Sequence, residues 1–428
     1  MQQVCSLIAE KEYKRALVRL WHLAHQPVAC GGQVLDQWAR LPVDDLAKRR
    51  IEDFFAFGQT QIAPRDVQSR PTDVIRALDE RLREESRKPL RATRLSIDDW
   101  SYFLVSCAAH DGFEQDQPVR FANYMRHHRI ITDQLSENVR ANVADLCAYA
   151  DLQHQLEGIA QSEKGSLTVG LGLFPDKHQL QGEQVQVDPT RRFAFFTTTS
   201  GEGERLVSAR AQLDAAETAG VELLVFPELT LSPSNQQAIQ DHLWRRWREH
   251  QPCRIPIIVL GSFHCRTDGC QRNRAQLLWG FDGTAIASHD KLSPATLGEV
   301  TENLTPGPAA LFLCTPIGNI SLAICKDIID DRASLWIEKL GPDWLLVPSL
   351  SNSASEHVKA SRKLWNRHRC TAVVANQPLN EEKFNAEGTR DNPLYGYIHS
   401  DTVLLRSASK TLWYSAVSLP GRQNHPKI

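Results

Sequence analysis

The sequence predicts an α/β protein in which a helical N-terminal region precedes a larger layered domain. Three observations lead to this prediction. Before about Leu167, apolar residues recur every three to four positions, which is typical of amphipathic helices. After Leu167, short β-branched or apolar runs alternate with helical stretches, which is typical of an α/β domain. Several of these runs are apolar throughout, and such strands are expected to be buried on both faces of a sheet.

Residues 1–165 are expected to form a separate all-α domain of four to six helices. Residues 13–21 show the helical period, and prolines divide the rest of the region into segments. Ser96 comes shortly before Asp98 and Asp99, which would place acidic side chains in the first turn of a helix. Basic and acidic residues are interspersed here, so we expect this domain to dock a protein partner or to regulate the rest, rather than to bind nucleic acid.

Residues 166–428 are expected to form the α/β domain, linked to the first by the Gly- and Gln-rich stretch 165–188. Seven apolar or β-branched runs are predicted to be strands: 193–197, 223–226, 257–260, 275–279, 320–324, 344–347 and 371–375. Four stretches with helical periodicity are predicted to be helices: 204–219, 236–249, 330–340 and 354–369.

Composition argues against several classes of protein. Lys and Arg total 49 against 51 Asp and Glu, so the net charge of −2 gives no general reason to expect a nucleic acid or an anionic membrane as partner. The N-terminus lacks the apolar core of a signal peptide, and no run of about 18 apolar residues is present to span a membrane. We therefore expect a cytoplasmic protein, whose ten scattered cysteines are mostly reduced thiols.

Cys253, Cys265 and Cys270 lie near His264 in the sequence, and cysteine and histidine are the usual ligands of a structural zinc ion. A zinc site is therefore one interpretation of this cluster. The alternative is a β-hairpin, since residues 267–269 read Thr-Asp-Gly between two strand-like runs. The hairpin explains the spacing without a metal, and no metal is expected.

Three residues that could carry chemistry follow the ends of predicted strands: Glu228, Lys291 and Cys325. Sites in α/β folds are built at the carboxyl ends of strands. A cysteine nucleophile needs a base to take its proton and a cation to stabilise both the thiolate and the oxyanion that forms on attack. Each residue alone has an ordinary structural explanation. Together they predict a catalytic site in which Lys291 favours the thiolate of Cys325.

The sequence around these positions resembles the nitrilase, or carbon–nitrogen hydrolase, superfamily over about residues 185–419. Six stretches carry the resemblance: Phe-Pro-Glu-Leu at 226–229, Asp-Gly at 282–283 through His-Asp-Lys-Leu at 289–292, Pro-Gly at 306–307, Ile-Cys-Lys-Asp at 324–327, Gly-Pro-Asp-Trp at 341–344, and a segment leading into a strand that ends in Asn at 366–376. The first 165 residues have no counterpart in this family.

The resemblance implies a four-layer α-β-β-α sandwich with Glu228 as general base, Lys291 as electrophilic stabiliser and Cys325 as nucleophile. A second glutamate often lies before the Pro-Gly in this family, and Glu302 fits that position better than Glu299. The resemblance also implies self-association as a homodimer or a higher oligomer. No cofactor is expected.

The chain departs from the family pattern beside the nucleophile. Lys326 stands where an aromatic residue is common. Its backbone N–H can still serve an oxyanion hole, while its side chain either admits an acidic group to the substrate pocket or points to solvent. Asp327 is more similar to the amidase-like branches of the family than to those in which Glu follows, so the resemblance favours amides over nitriles as substrates. Ser293 with Pro294 replaces the histidine that usually follows the lysine in the family.

The expected function is hydrolysis of an amide-type, less readily a nitrile, bond of a small molecule through a thioester on Cys325. One alternative is a catalytically silent nitrilase-fold scaffold whose helical domain binds a partner, but all three catalytic residue types are retained. Another is a partner-controlled nitrilase-like effector, for example in defence against phage, which only the unexplained N-terminal region favours. Acyl transfer to lipoprotein is disfavoured because membrane spans are missing from the sequence.

Overall fold

The structure is a computed structural model that describes residues 2–25, 71–86, 92–106, 125, 127–174, 180–188, 191–297, 300–351, 355–378, 396–400, 403–406 and 412–419. Glu299 lies outside these residues. The elements before residue 166 are α1 (Gln2–Ala9), α2 (Tyr13–His25), α3 (Pro71–Ser86), β1 (Thr93–Ile97), β2 (Trp100–Ser106), β3 (His128–Thr132), β4 (Gln134–Ser136), β5 (Val139–Asp145) and α4 (Ala150–Gln161).

The elements from residue 166 to residue 302 are β6 (Ser166–Leu171), β7 (Leu180–Asp188), β8 (Arg191–Thr199), α5 (Glu202–Thr218), β9 (Leu223–Val225), α6 (Pro233–Arg248), β10 (Ile257–Thr267), β11 (Cys270–Trp279), β12 (Ala285–Asp290), β13 (Thr296–Leu297) and β14 (Val300–Glu302). They are followed by β15 (Ala309–Cys314), β16 (Ile320–Leu322), a 3₁₀ turn (Cys325–Ile328), α7 (Asp331–Leu340), β17 (Trp344–Leu350), α8 (Ser355–His368), β18 (Thr371–Gln377), β19 (Gly396–Ser400), β20 (Val403–Arg406) and β21 (Trp413–Ser418). All seven predicted strands and all four predicted helices are present, and β10 and β11 extend beyond the predicted runs 257–260 and 275–279.

Two large mixed sheets form the centre of the molecule. The strand order is β12-β11-β10-β9-β6-β21 in the first sheet and β20-β19-β18-β17-β16-β15-β5-β4 in the second. Both sheets contribute to one apolar core, in which Val169 and Val225 of the first sheet pack in the same cluster as Leu322 and Leu346 of the second. The short strands β9 and β16 are buried throughout, as expected for strands covered on both faces.

Helices cover the other face of each sheet. In α5 and α6, Leu213 and Ile239 pack with Leu224 of the first sheet. In α7 and α8, Ile337 and Leu364 pack with apolar residues of the second sheet. The predicted α/β class is therefore confirmed. None of the helices in the described ranges combines the length and hydropathy that a membrane span requires.

The prediction of an all-α N-terminal domain is wrong, because residues 93–145 contain five strands. What looked like a helix start at Ser96 is a hairpin: Ile97 pairs with Trp100, and Asp98 between them has a positive φ of 51°. Asp is one of the few residues that visit the left-handed region readily, which favours a turn here. The Tyr-Phe-Leu-Val run of β2 then supplies strand-forming side chains.

The predicted boundary after residue 165 and the predicted link at 165–188 also differ from the structure. Strand β5 lies before the boundary, yet it pairs with β15 within the second sheet from Arg140 to Asp145. Strand β6 lies within the link, yet it sits between β9 and β21 in the first sheet. The Gln-rich β7 pairs with β8 at a sheet edge and is mostly exposed, so its polar composition reflects an edge strand and not a linker.

The N-terminal elements share a core with the C-terminal part through the sheet β1-β2-β3. Because successive strand residues point to opposite faces, Leu104 packs with α1, α2 and α3, whereas Val105 packs in a cluster with Phe312 and Leu340. Ile131 and Leu292 belong to this second cluster. The N-terminal part is thus not separate in its packing.

Candidate active site

Glu228 is held just beyond β9 by backbone contacts with β10. Its neighbour Leu229 has a positive φ of 55° and donates its N–H to the carbonyl of Ser262 over 2.7 Å. Gly261 has a φ of 77°, and a Cβ there would overlap the carbonyl oxygen of Pro227. A glycine is therefore required where the two segments meet, and this contact places the Glu228 side chain in the interior, where it is 2% exposed.

Lys291 follows β12 and is positioned by hydrogen bonds on both sides of its peptide. Its N–H donates to the carbonyl of Asn273 over 2.8 Å, and its carbonyl accepts from Gly307 over 2.9 Å. A Cβ at Gly307 would overlap the carbonyl oxygen of Asp290. The Pro-Gly segment therefore packs directly against the chain that presents the lysine.

Cys325 begins the 3₁₀ turn after β16 and has a positive φ of 44°, a backbone conformation that is strained for a residue with a side chain. The buried carboxylate of Asp327 holds this turn. One of its oxygens accepts from the N–H of Ile324 over 3.0 Å, and the other accepts from Leu292 over 3.0 Å and Ser293 over 2.8 Å. Asp327 therefore ties the turn that carries the cysteine to the segment that carries Lys291.

The side chains of Glu228, Lys291 and Glu302 meet in one buried cluster. Nζ of Lys291 lies 2.7 Å from Oε1 of Glu228 and 2.6 Å from Oε2 of Glu302. The thiol of Cys325 donates to the carbonyl oxygen of Leu350 over 3.6 Å, and the charges of Glu228 and Lys291 both act on its proton affinity. The base and the cation are thus in direct contact, with the nucleophile beside them, which is the grouping that proton transfer from the thiol requires.

Burial and charge give the two glutamates different proton affinities. Burial raises the pKa of Glu228 to about 7; Lys291 opposes this shift and the charge of Glu302 adds to it. Burial also acts to raise the pKa of Glu302, but Lys291 and a hydrogen bond from His264 outweigh it and hold that pKa at about 2. Burial acts to lower the pKa of Lys291, but the two carboxylates raise it, so the ammonium stays charged.

Burial raises the pKa of the Cys325 thiol to about 12, and Glu228 adds to the shift while Lys291 opposes it. Lys291 thus acts in the predicted direction, since its charge favours the thiolate of Cys325. Burial and the charge of Glu228 outweigh it, so the pKa of the thiol is raised in the resting site. The cysteine rests as a thiol beside a base of nearly neutral pKa.

Lys326 lies beside the site, and its side chain is half-buried. Its Nζ donates to the carbonyl oxygen of Pro294 over 3.1 Å. The side chain therefore binds the segment that follows Lys291.

Two further residues of the cluster escaped the sequence analysis as site residues. Asn273 on β11 donates from Nδ2 to Oε1 of Glu228 over 2.8 Å and to Oε1 of Glu302 over 3.1 Å. His264 on β10 places Nε2 3.0 Å from the same oxygen of Glu302. His264 and Asn273 are directly paired in the hairpin, so their side chains lie on the same face of the sheet. The alternation of side chains along each strand is the signal that could have grouped them.

The hairpin prediction for residues 267–269 is confirmed. Thr267 pairs with Cys270, and Asp268 and Gly269 between them both have positive φ, as a two-residue turn requires. His264 points to Glu302, whereas Cys265 next to it contacts Thr267 through its sulfur. Neighbouring strand residues face opposite ways, so this histidine and this cysteine do not converge as zinc ligands.

The family model described as carbon-nitrogen hydrolase matches residues 159–377, just over half of the chain. A comparison of the sequence with curated proteins finds no match. Among solved structures, a mutant of the Nesterenkonia AN1 amidase from the nitrilase superfamily is 15% identical, with a TM-score of 0.38 over 59% of this chain and 92% of that chain. Saccharomyces cerevisiae Nit3, a member of branch 10 of that superfamily, is 15% identical, with a TM-score of 0.39 over 60% of this chain and 92% of that chain. A glutamine-dependent NAD(+) synthetase from Cytophaga hutchinsonii is 14% identical, with a TM-score of 0.36 over 59% of this chain and 43% of that chain.

Proposed function

The chain belongs to the carbon–nitrogen hydrolase family, and on this premise we propose that it hydrolyses an amide-type C–N bond of a small molecule, with Cys325 as nucleophile. The observation that carries the proposal is the buried cluster in which the Lys291 ammonium contacts two carboxylates beside the thiol. Burying one cation with two anions is costly, and such arrangements are found where shifted proton affinities serve a reaction.

In the first half of the reaction, Glu228 takes the thiol proton as the sulfur of Cys325 attacks the amide carbon. Because the pKa of the thiol is about 12 and that of Glu228 about 7, a free thiolate is unfavourable, and proton transfer accompanies formation of the S–C bond. The carbonyl oxygen gains the negative charge, which the Lys291 ammonium and the backbone N–H of Lys326 stabilise. Glu228 then passes its proton to the nitrogen, the C–N bond breaks, and ammonia or an amine leaves a thioester on Cys325.

In the second half, Glu228 takes a proton from water while the oxygen attacks the thioester carbon. The C–S bond breaks, the sulfur regains a proton and the acid leaves. Glu302 keeps its negative charge throughout, because its pKa of about 2 lies far below neutral pH. Its role is to pair with Lys291, so that Glu228 alone exchanges protons.

Finer features of the proposal follow the family expectation. The helices packed on the outer face of each sheet support a four-layer α-β-β-α arrangement. A homodimer or higher oligomer is proposed from family membership alone. The bond between Lys326 and Pro294 supports a role for that side chain in holding the segment after Lys291.

Partner control is a second candidate, and one observation favours it. Ile131 of β3 shares a core with Leu292, the residue directly after Lys291. A partner that moved the sheet β1-β2-β3 would therefore act on the segment that presents the cation.

The experiment is a screen of small amides and nitriles for ammonia release by the full chain. Cys325→Ala should abolish release, and Glu228→Gln should slow it about 10²–10⁴-fold, which corresponds to about 3–5 kcal/mol. Circular dichroism and thermal unfolding of both variants are the controls for folding. A Cys325→Ala protein that still supported the biological activity of the wild type would favour the silent scaffold instead.

A further inference from the structure

His264 has a defined hydrogen-bonding state inside the site cluster. Its Nδ1 accepts the backbone N–H of Phe196 over 2.9 Å, so that nitrogen carries no proton. Its Nε2 lies 3.0 Å from Oε1 of Glu302, which can only accept when it is ionised. The ring must therefore be the neutral tautomer with hydrogen on Nε2, donating to the carboxylate.

The surroundings of His264 keep the ring neutral. Its side chain is fully buried, and its ring lies 5.3 Å from the ring of Phe195 and 5.1 Å from that of Phe196. Burial lowers the pKa of His264, Glu302 opposes this shift, and Lys291 adds to it. The imidazole is therefore a fixed neutral donor and not a second cation.

The carboxylate of Glu302 accepts from four groups. Lys291 donates from beyond β12, Asn273 from β11, His264 from β10, and the backbone N–H of Ala295 over 2.6 Å. The carboxylate of Glu228, by contrast, accepts from Asn273 and Lys291. Asn273 and Lys291 are shared, so His264 is the side chain that distinguishes the two carboxylates.

We infer that His264 is a positioning residue that keeps the negative charge on Glu302 and thereby reserves Glu228 as the base. This inference rests on the proposed function, because it assigns a division of labour between two carboxylates of the same site. His264 lies near three cysteines in the sequence, but its two ring nitrogens contact Glu302 and the backbone of Phe196. Removing the Nε2–H donor raises the proton affinity of Glu302, so the carboxylate pair takes up its first proton at a higher pH.

The test is the pH dependence of Cys325 alkylation by iodoacetamide in the full chain, read by peptide mass mapping between pH 5 and 9. Wild type should show an acid limb near the Glu228 pKa of about 7. His264→Leu removes the donor, and its acid limb should move up by about one pH unit, with about tenfold slower alkylation below the limb. His264→Gln is the matched control, because an amide can both donate to Glu302 and accept from Phe196, and it should restore most of the shift.

An unshifted limb in a folded His264→Leu protein would overturn the inference. If that variant does not fold, the ¹⁵N NMR spectrum of histidine-labelled wild type decides instead: a neutral Nε2–H ring at every pH supports the inference, and an Nδ1–H ring or an imidazolium contradicts it. Glu228→Gln distinguishes a failure of the proposed function from a failure of the role of His264 alone. If it leaves the acid limb in place, the proposed function fails; if it removes the limb while His264→Leu leaves it unshifted, only the role of His264 fails.

Discussion

Asp327→Asn should destabilise the protein far more than its small chemical change suggests. The side chain is fully buried, and its two carboxylate oxygens accept from three backbone N–H groups. An asparagine has only one acceptor oxygen, so it can keep the bonds to Leu292 and Ser293 or the bond to Ile324, but not both. At least one buried N–H then faces an NH₂ group.

The expected loss is about 2–4 kcal/mol of unfolding free energy, because a hydrogen bond to a charged group contributes about 1.5–3 kcal/mol and an unpaired buried donor adds its own desolvation penalty. Equilibrium unfolding in urea measures it. Asp330→Asn is the matched control: that side chain caps α7 by accepting from Arg332 and Ala333, and asparagine caps a helix about as well as aspartate. Its expected change is below about 0.5 kcal/mol.

The reactivity of the thiol should fall together with stability in Asp327→Asn. Asp327 joins the strained Cys325 turn to the Lys291 segment, so a looser bond separates nucleophile from base and cation. Equal unfolding midpoints for Asp327→Asn and Asp330→Asn would refute this account of Asp327, as would an unchanged rate of Cys325 alkylation.

Three further predictions follow from the packing and the site. Gly261→Ala should lower the unfolding free energy by more than about 1–2 kcal/mol, because a residue in the left-handed conformation gains a Cβ that overlaps the carbonyl of Pro227. Urea unfolding measures this loss. Gly203→Ala is the control, because a Cβ there meets nothing within 4 Å. Ile131→Ala should lower the unfolding free energy by about 2–5 kcal/mol within one cooperative transition, since the apolar core around Ile131 joins the N-terminal sheet to Leu292. A separate early unfolding transition of the N-terminal part would contradict the shared core. In a turnover assay, Glu228→Gln combined with Cys325→Ala should lose no more activity than Cys325→Ala alone, because base and nucleophile act as one unit, and a multiplicative loss would argue for independent roles.

Much of the C-terminal fold could be predicted because its signals are local. Short runs that are apolar or mainly apolar, separated by helical periodicity, are present for β9, β16 and β18, and burial on both faces leaves few alternatives for them. The motif residues Glu228, Lys291 and Cys325 could be singled out for the same reason, since each lies within three residues of the end of a strand. The structure brings their side chains together.

The N-terminal strands could not be predicted because their local pattern fits two structures. Ser96 followed by aspartates satisfies both a helix cap and a hairpin turn, and only the pairing of Ile97 with Trp100 decides between them. Strand β5 is recognisable only through its partner β15, which lies far along the chain. Non-local pairing also hid His264 and Asn273, because the face of a strand that meets a buried lysine depends on the hairpin register.

The most direct test of the central claim is peptide mass spectrometry of Cys325 during turnover of an amide found in the screen. We expect an acyl group on Cys325 of the wild type, whose added mass equals that of the substrate less ammonia, and no such group in Cys325→Ala. Ammonia release at the wild-type rate by Cys325→Ala, or an acyl group carried by a different residue, would contradict the account.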